Sequence, residues 1–208
     1  QGISFGPFLI KEVVDSLRAT LPNLKTFSTL SPIPGLSRWL GSVMSDPTFQ
    51  ESLLAETLVT IGEQWGVPPT LHAVLAAPQV KEASAEEVEA LQEPLVELCA
   101  RYLHERRPKD GAPLDPVARF HLGNGARIEQ INWRGDLSEK GLRESCGMMV
   151  NYRYRLEDMK QNIEAYATEK QIAVAPRVRN LLREEGASLS SLAGLRRFLP
   201  GSRNSETS

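Results

Sequence analysis

The stretch that decides this fold reads Thr29-Leu30-Ser31-Pro32-Ile33-Pro34-Gly35 and follows a run, Leu24 to Leu30, that is typical of a buried β-strand. Proline lacks a backbone N–H and fixes φ, so neither helix nor sheet is expected to continue through Pro32 and Pro34. Ser31 is therefore predicted to lie at the carboxyl end of a strand, the edge at which open sheets bind ligands. The alternative is a serine that only hydrogen-bonds its own turn.

A glycine-bearing loop, Gln1-Gly2-Ile3-Ser4-Phe5-Gly6-Pro7, precedes a predicted helix. The apolar residues of that helix recur at helical spacing and are Ile10, Val13, Val14, Leu17 and Leu21. Pro7 suits the first helical position, and Gly2 and Gly6 allow the backbone to approach a ligand closely. Such a loop presents free N–H groups and the positive end of the helix dipole, which favours a phosphate site. Glycine before a helix is also a common structural feature, and that alternative stays open.

Residues 36–107 are predicted to be helical and to form an insertion between strands. Within them, Ser84-Ala85-Glu86-Glu87 matches a capping box, which predicts the start of a helix. We interpret the charged positions of this block as a solvated face. His72 and His104 are interpreted as surface or packing residues, because their spacing is not that of ligands.

A second short helix is predicted to begin at Asp115-Pro116, to end at Gly123-Asn124-Gly125 and to carry His121 in its last turn. A protonated histidine there would complement the helix dipole. The functional alternative is a general acid at the mouth of a cleft. The pattern alone does not choose between the two.

The remaining chain predicts a small sheet followed by polar and helical segments. The expected elements are strand Ala126–Trp133, helix Leu137–Arg143, strand Gly147–Leu156, a polar segment Leu156–Gln171, helix Pro176–Glu185, a basic helix within Ser188–Phe198 and a disordered tail Pro200–Ser208. Met148, Val150, Tyr152 and Tyr154 share one face of the second strand.

Composition restricts the class of protein further. The chain has 208 residues, 41% hydrophobic and 24% charged, with a formal net charge of −2, which is globular and does not favour nucleic acid. Its two cysteines form no C-x-x-C pair, which suits a reducing compartment. No apolar run approaches the roughly 20 residues that span a bilayer. Because the chain begins at Gln1 with an ordered pattern, we take it to be a fragment.

Four runs together are more specific than any one of them: Gln1–Lys11, Leu30–Gly35, Phe120–Ala126 and Ser145–Tyr154. In order and in spacing they closely resemble the catalytic domain of the malonyl-CoA decarboxylase family, over residues 1 to about 157. The resemblance is weakest in the helical block and in the C-terminal tail.

The resemblance implies an α/β (α+β) fold similar to the Gcn5-related N-acetyltransferases, a mixed and mostly antiparallel sheet flanked by helices. It implies three regions: a catalytic domain over 1–175 that contains the helical insertion at about 36–107, a C-terminal helical segment over 176–199 and the tail over 200–208. Family members also carry a helical amino-terminal domain that helps to form a tetramer. That domain is absent from this chain, and we expect a homo-oligomer in the full-length protein.

The resemblance also assigns residues. Ser31 matches the family's catalytic serine and His121 its catalytic histidine. The substrate-binding residues it implies are Gln1, Gly2, Ile3, Ser4, Phe5, Gly6 and Pro7 for the CoA diphosphate, with Ser31, His121 and Tyr154 near the acyl group. No metal site and no organic cofactor are expected. The family's reaction forms an enolate, and stabilising and protonating an enolate needs only hydrogen-bond donors and an acid.

The implied reaction is decarboxylation of malonyl-CoA to acetyl-CoA and carbon dioxide, with His121 as the acid and Ser31 positioning or relaying the proton. Two alternatives remain, an acyl-CoA-dependent acyltransferase and a non-catalytic CoA-binding subunit. The expected location is intracellular, either the cytoplasm or the mitochondrial matrix. The chain ends Glu206-Thr207-Ser208, so no peroxisomal Ser-Lys-Leu signal is present at its C-terminus.

Overall fold

A computed structural model of the chain describes residues 5–46 and 53–182. Three predicted features lie outside the described residues: the loop residues Gln1 to Ser4, the basic helix within Ser188–Phe198 and the tail Pro200–Ser208. The side chain of Phe5 lies outside them as well.

The described chain combines many helices with a small sheet. Its elements are, in order, α1 (Phe5–Thr20), β1 (Phe27–Ser28), β2 (Ser31–Pro32), α2 (Leu36–Met44), α3 (Leu53–Trp65), α4 (Leu71–Ala76), α5 (Gln79–Glu82), α6 (Ala85–His104), α7 (Pro116–Gly123), β3 (Arg127–Asn132), α8 (Glu139–Ser145), β4 (Met149–Tyr154), α9 (Leu156–Glu169) and α10 (Pro176–Leu181). In the described part of 36–107, which omits residues 47–52, α2 to α6 confirm the helical prediction as far as His104.

Strand β4 is the centre of the antiparallel sheet, with β1 and β2 along one edge and β3 along the other. Phe27 pairs with Tyr154 and Ser31 pairs with Val150, so β1 and β2 share one register against β4. The predicted alternation along β4 is confirmed, because Val150, Tyr152 and Tyr154 are buried while the residues between them are partly exposed. This buried face of β4 positions the candidate site.

The structure corrects the prediction for the opening stretch, because the strand does not stop at Leu30. Ser31 and Pro32 form β2, and Pro32 pairs with Met149. The Thr29 N–H donates to the Tyr152 carbonyl at 3.0 Å. Backbone N–H groups alternate in direction along an antiparallel strand, so the nitrogen of Pro32 points away from β4 and its missing hydrogen costs no ladder bond.

The predicted burial of that strand is also wrong. Leu30 is 57% exposed, whereas Phe27 and Ser31 are buried, so one face of the strand meets the core and the other does not. In helix α1, too, the apolar periodicity does not correspond to burial: Val14 is 3% exposed, but Val13 is 50% exposed. Periodicity identifies an apolar face and does not reveal what packs against it.

Gly35 explains how the opening stretch joins the helical part. A Cβ atom placed on Gly35 would collide with the hydroxyl of Tyr102, a buried residue of α6. The Tyr102 ring also packs against Trp39 of α2, with ring centroids 5.6 Å apart. The absence of a side chain at Gly35 therefore lets the chain that follows Ser31 pass directly over α6.

Among the described residues, no helix has both the length and the apolarity needed to cross a membrane.

Candidate active site

Helix α7 positions His121. The helix begins as predicted: Pro116 occupies its first turn and the Asp115 carboxylate accepts a hydrogen bond from the Ala118 N–H at 2.7 Å. It ends as predicted beyond Gly123, where Gly125 has φ +85°, a conformation that favours glycine. His121 therefore lies in the last turn of α7 and projects towards the buried face of β4.

Strand β2 positions Ser31 beside this histidine. Ser31 is 6% exposed, and its hydroxyl oxygen lies 3.3 Å from His121 Nε2 although 90 positions separate the two residues. The other imidazole nitrogen, Nδ1, lies 2.7 Å from the hydroxyl of Tyr154. The structure thus brings together Ser31, His121 and Tyr154, the three residues that the sequence predicted around the acyl group.

Aromatic rings enclose the imidazole. The Tyr152 ring stacks on His121 with centroids 4.4 Å apart and an angle of 20° between the planes. Phe120 meets the imidazole edge-on at 5.1 Å and is 60% exposed. The hydroxyl of Tyr152 is buried and has no hydrogen-bond partner among the described residues. His121 is therefore held on one face by a packed ring, while exposed Phe120 marks the side that opens to solvent.

This enclosure sets the protonation of His121. Burial lowers the pKa of His121 from 6.5 to about 4, so the imidazole is neutral at pH 7. In the free protein His121 is therefore not an imidazolium, and any proton that it gives near neutral pH comes from a neutral ring. Burial raises the pKa of Tyr154 above its ordinary value, so its hydroxyl stays protonated as well. The resting site carries no charge on either group.

We expect His121 to show no titration from about pH 8 down to about pH 5, because the buried site disfavours the imidazolium. The unfolded chain binds that proton near pH 6.5, so folding stability should decline as the pH falls from about 6.5 towards 4. Proton NMR of the imidazole, with free histidine as the reference in the same sample, measures the pKa of His121. An inflection of its chemical shift between about pH 6 and pH 7 would contradict this prediction.

Two residues at the site were not identified from the sequence. Thr29 accepts a hydrogen bond from the Ser31 hydroxyl at 2.9 Å, and Tyr152 provides the ring under His121. The available signal was strand periodicity: Thr29 lies two residues before Ser31, and Tyr152 two before Tyr154, so each shares the face of its neighbour. Because the strand was expected to end at Ser31, Thr29 was not assigned to the site. Tyr152 was assigned only to the face of a strand.

The predicted diphosphate loop is described only in part. Gly6 and Pro7 lie in the first turn of α1 rather than in a loop, and a Cβ atom on Gly6 would collide with the side chain of Asn124. Asn124 is the residue that ends α7, and its N–H donates to the His121 carbonyl at 3.1 Å. The N-terminus of α1 therefore packs closely against the helix that carries the histidine.

A separate cavity of about 840 Å³ lies away from this site, lined mainly by apolar residues of α2, α4 and α8. Neither Ser31 nor His121 is part of its lining. Cys146 is, with its sulfur 3.1 Å from the Ser37 hydroxyl. Burial raises the pKa of the Cys146 thiol to about 11, so the sulfur remains a protonated, weak nucleophile. The lining of this cavity also includes charged side chains and His72, but no hydrogen bond joins its polar groups into a set like that of Ser31, His121 and Tyr154 among the contacts of the described residues. We therefore place the candidate site at Ser31 and His121.

In residues 5–46 and 53–182, no group of three or more His, Cys, Asp or Glu side chains is arranged to hold a metal ion. The fold and the site together define a mixed α/β domain in which a serine, a histidine and a tyrosine share hydrogen bonds on the buried face of a small antiparallel sheet.

Comparison with known proteins identifies the family. The family described as "Malonyl-CoA decarboxylase C-terminal domain" matches residues 1–192, and the chain belongs to it. Similar curated proteins are both named mitochondrial malonyl-CoA decarboxylase: one from Anser anser anser, 43% identical over 187 residues, and one from Rattus norvegicus, 40% identical over 190. These matches cover 86% and 88% of this chain but only 36% and 38% of the relatives.

Solved structures give the same result. Malonyl-CoA decarboxylase from Rhodopseudomonas palustris matches with a TM-score of 0.68 and 42% identity, over 86% of this chain and 38% of that one. The enzyme from Agrobacterium vitis matches with a TM-score of 0.66 and 44% identity, over 87% and 41%. The chain thus spans well under half the length of these relatives.

Proposed function

We propose that this chain carries the catalytic residues of a malonyl-CoA decarboxylase, which converts malonyl-CoA into acetyl-CoA and carbon dioxide. One observation carries the proposal: Ser31 Oγ lies 3.3 Å from His121 Nε2 in a chain that belongs to this family. The names of the similar proteins support the same substrate.

Decarboxylation requires the protein to stabilise an enolate and then to protonate it. Breaking the bond between the carboxylate and the α-carbon releases carbon dioxide and leaves an enolate, with negative charge on the thioester oxygen. A donor directed at that oxygen is worth about 3–4 kcal/mol. The α-carbon must then receive a proton, and a positioned acid contributes roughly 10²–10⁴-fold.

Ser31 and His121 can supply both the hydrogen bond and the proton. The Ser31 hydroxyl can hydrogen-bond the malonyl group, and His121 stands next to it as the source of the proton. A neutral donor is sufficient here because the enolate carbon is more basic than the anion that the donor leaves behind. The Tyr154 hydroxyl holds the far nitrogen of the ring. Serine is not assigned as an acyl nucleophile, because decarboxylation needs no acyl-enzyme.

The same proposal includes the coenzyme site and the wider fold. We place the CoA diphosphate at Gln1 to Pro7, supported by the start of α1 at Phe5, since helix N-termini favour anions. We assign the sheet to the Gcn5-related N-acetyltransferase type, supported by the central position of β4 between the strand that carries Ser31 and β3. On that assignment, residues 1–175 form the catalytic domain.

Assembly and location follow from the family rather than from the site. We propose a homo-oligomer, a tetramer, for the full-length protein, and an intracellular location. The exposed apolar side chains of α1, which include Phe8, Leu9 and Val13, are consistent with a surface that further protein covers.

Incubation with malonyl-CoA alone tests the activity, using the protein at its natural length. We expect acetyl-CoA and carbon dioxide to form in equal amounts without any acceptor, because the reaction needs only a proton from water. A parallel incubation with an added amine tests acyl transfer. Product that appears only with the amine would contradict decarboxylation, as would bound malonyl-CoA that is not consumed.

A further inference from the structure

Thr29 is fixed by hydrogen bonds at each of its polar groups. Its N–H donates to the Tyr152 carbonyl at 3.0 Å, and its carbonyl accepts from the Asn151 side chain at 2.6 Å. Its hydroxyl oxygen accepts from the Tyr152 N–H at 3.3 Å and from the Ser31 hydroxyl at 2.9 Å. A threonine whose backbone and side chain are all bound in this way has little freedom to move.

These bonds also explain why β1 and β2 are separate strands. In a regular antiparallel ladder the Tyr152 N–H would meet the Thr29 carbonyl. Here it donates to the Thr29 hydroxyl, and the carbonyl is bound by the Asn151 amide instead. The ladder is interrupted at the residue that contacts Ser31, and the interruption turns the threonine oxygen towards the serine.

The direction of the Ser31 hydrogen follows from this arrangement. A hydroxyl oxygen has two lone pairs, and those of Thr29 receive the Tyr152 N–H and the Ser31 O–H. With no substrate bound, the hydrogen of Ser31 is directed at Thr29, so Ser31 presents a lone pair to His121 Nε2. The tautomer that matches this arrangement has the hydrogen of the neutral imidazole on Nε2, with Nδ1 accepting from the Tyr154 hydroxyl.

We propose that Thr29 is a positioning residue: it holds the Ser31 hydrogen away from His121 and thereby keeps the transferable proton on Nε2. This inference rests on the proposed function and adds the direction of proton transfer, from His121 Nε2 towards Ser31. When malonyl-CoA binds, the Ser31 hydrogen turns from Thr29 to the substrate. During turnover that hydrogen passes to the α-carbon, the Nε2 hydrogen replaces it on Ser31, and the Tyr154 hydrogen passes to Nδ1. The tyrosinate takes one proton from the solvent, which is the one proton that conversion of a carboxylate into a C–H bond and carbon dioxide consumes.

Without the threonine oxygen, the opposite order becomes possible. The Ser31 hydroxyl can then donate to Nε2, which places the imidazole hydrogen on Nδ1 facing Tyr154. In that arrangement Nε2 has no proton to give, and the relay runs in the wrong direction. The Thr29 hydroxyl oxygen already accepts from Tyr152 and Ser31, so we assign it no contact with the substrate, and its loss should affect kcat and leave KM nearly unchanged.

The test compares Thr29→Val with Thr29→Ser in the protein at its natural length. Valine keeps the shape and removes the acceptor, and we expect kcat to fall about 10-fold or more with KM and CoA affinity retained. Serine restores the oxygen, and we expect kcat within about threefold of the unchanged protein. Thr26→Val is the matched control, because Thr26 is exposed in the same segment. Equal losses in the valine and serine variants would overturn the proposal.

Nitrogen NMR of isotopically labelled histidine gives a second reading that does not depend on activity. We expect His121 with its hydrogen on Nε2 in the unchanged protein and a shift towards Nδ1 in Thr29→Val. A hydrogen on Nδ1 in the unchanged protein would overturn the proposal even if the valine variant failed to fold. If malonyl-CoA is not decarboxylated at all, the proposed function fails, while this measurement still decides the role of Thr29.

Discussion

Replacing His121 with asparagine should lower acetyl-CoA formation from malonyl-CoA by about 10²–10⁴-fold, the contribution of a positioned proton donor. Asparagine keeps a polar side chain in the last turn of α7 but cannot pass a hydrogen between two ring nitrogens. In the structure those nitrogens lie 3.3 Å from Ser31 and 2.7 Å from Tyr154, so the substitution breaks the connection between the two. The measurement is the rate at saturating malonyl-CoA.

Two controls separate catalysis from folding. CoA affinity should hardly change, because the proposed diphosphate site is at Gln1 to Pro7 and not at the imidazole. His72→Asn makes the same chemical change at an exposed histidine in α4, and we expect full activity from it. A near-normal rate in His121→Asn would remove this residue from the mechanism and return it to the role of a helix-terminal side chain.

The sequence predicted the elements that local pattern controls. The start of α7 was predictable because an aspartate before a proline caps a helix, and Asp115 does bind the Ala118 N–H. The buried face of β4 was predictable because side chains alternate along a strand. The pairing of Ser31 with His121 was different: no local pattern connects residues 90 positions apart, and the prediction came from family resemblance.

The misses have physical causes of three kinds. The strand was expected to stop before Pro32, but a proline whose nitrogen faces away from the neighbouring strand breaks no bond. The state of His121 depends on its burial against Tyr152, which titration in free solution does not reveal. Thr29 contributes through a distorted ladder, and the sequence carries no signal for a carbonyl that binds Asn151 instead of its strand partner.

Replacing Ser31 with alanine should also lower turnover by about 10²-fold or more, because it removes the hydroxyl that we propose to hydrogen-bond the malonyl group and to pass on the proton. The change removes one oxygen and leaves the backbone pairing of Ser31 with Val150 available. Thr29 and His121 each lose a hydrogen-bond partner, at a cost to folding stability of about 1–3 kcal/mol. The fold should survive, and thermal unfolding of the variant checks that it does.

The matched control is Ser28→Ala, since Ser28 is an exposed residue of β1 and its hydroxyl donates to the neighbouring Thr29 carbonyl. We expect that variant to retain its rate. A near-normal rate in Ser31→Ala would instead show that the serine serves only its own strand, as the structural alternative holds.

The double variant distinguishes a shared mechanism from two separate contributions. If Ser31 passes the proton that His121 supplies, removing either residue stops the same step, and removing both should be little worse than the poorer single variant. Independent roles would instead multiply the two losses. The 3.3 Å contact between Ser31 Oγ and His121 Nε2 makes the first outcome the expected one, because it gives the proton a path from the imidazole through the serine oxygen. Rates of the two single variants and the double variant, measured at one saturating concentration of malonyl-CoA, decide between these outcomes.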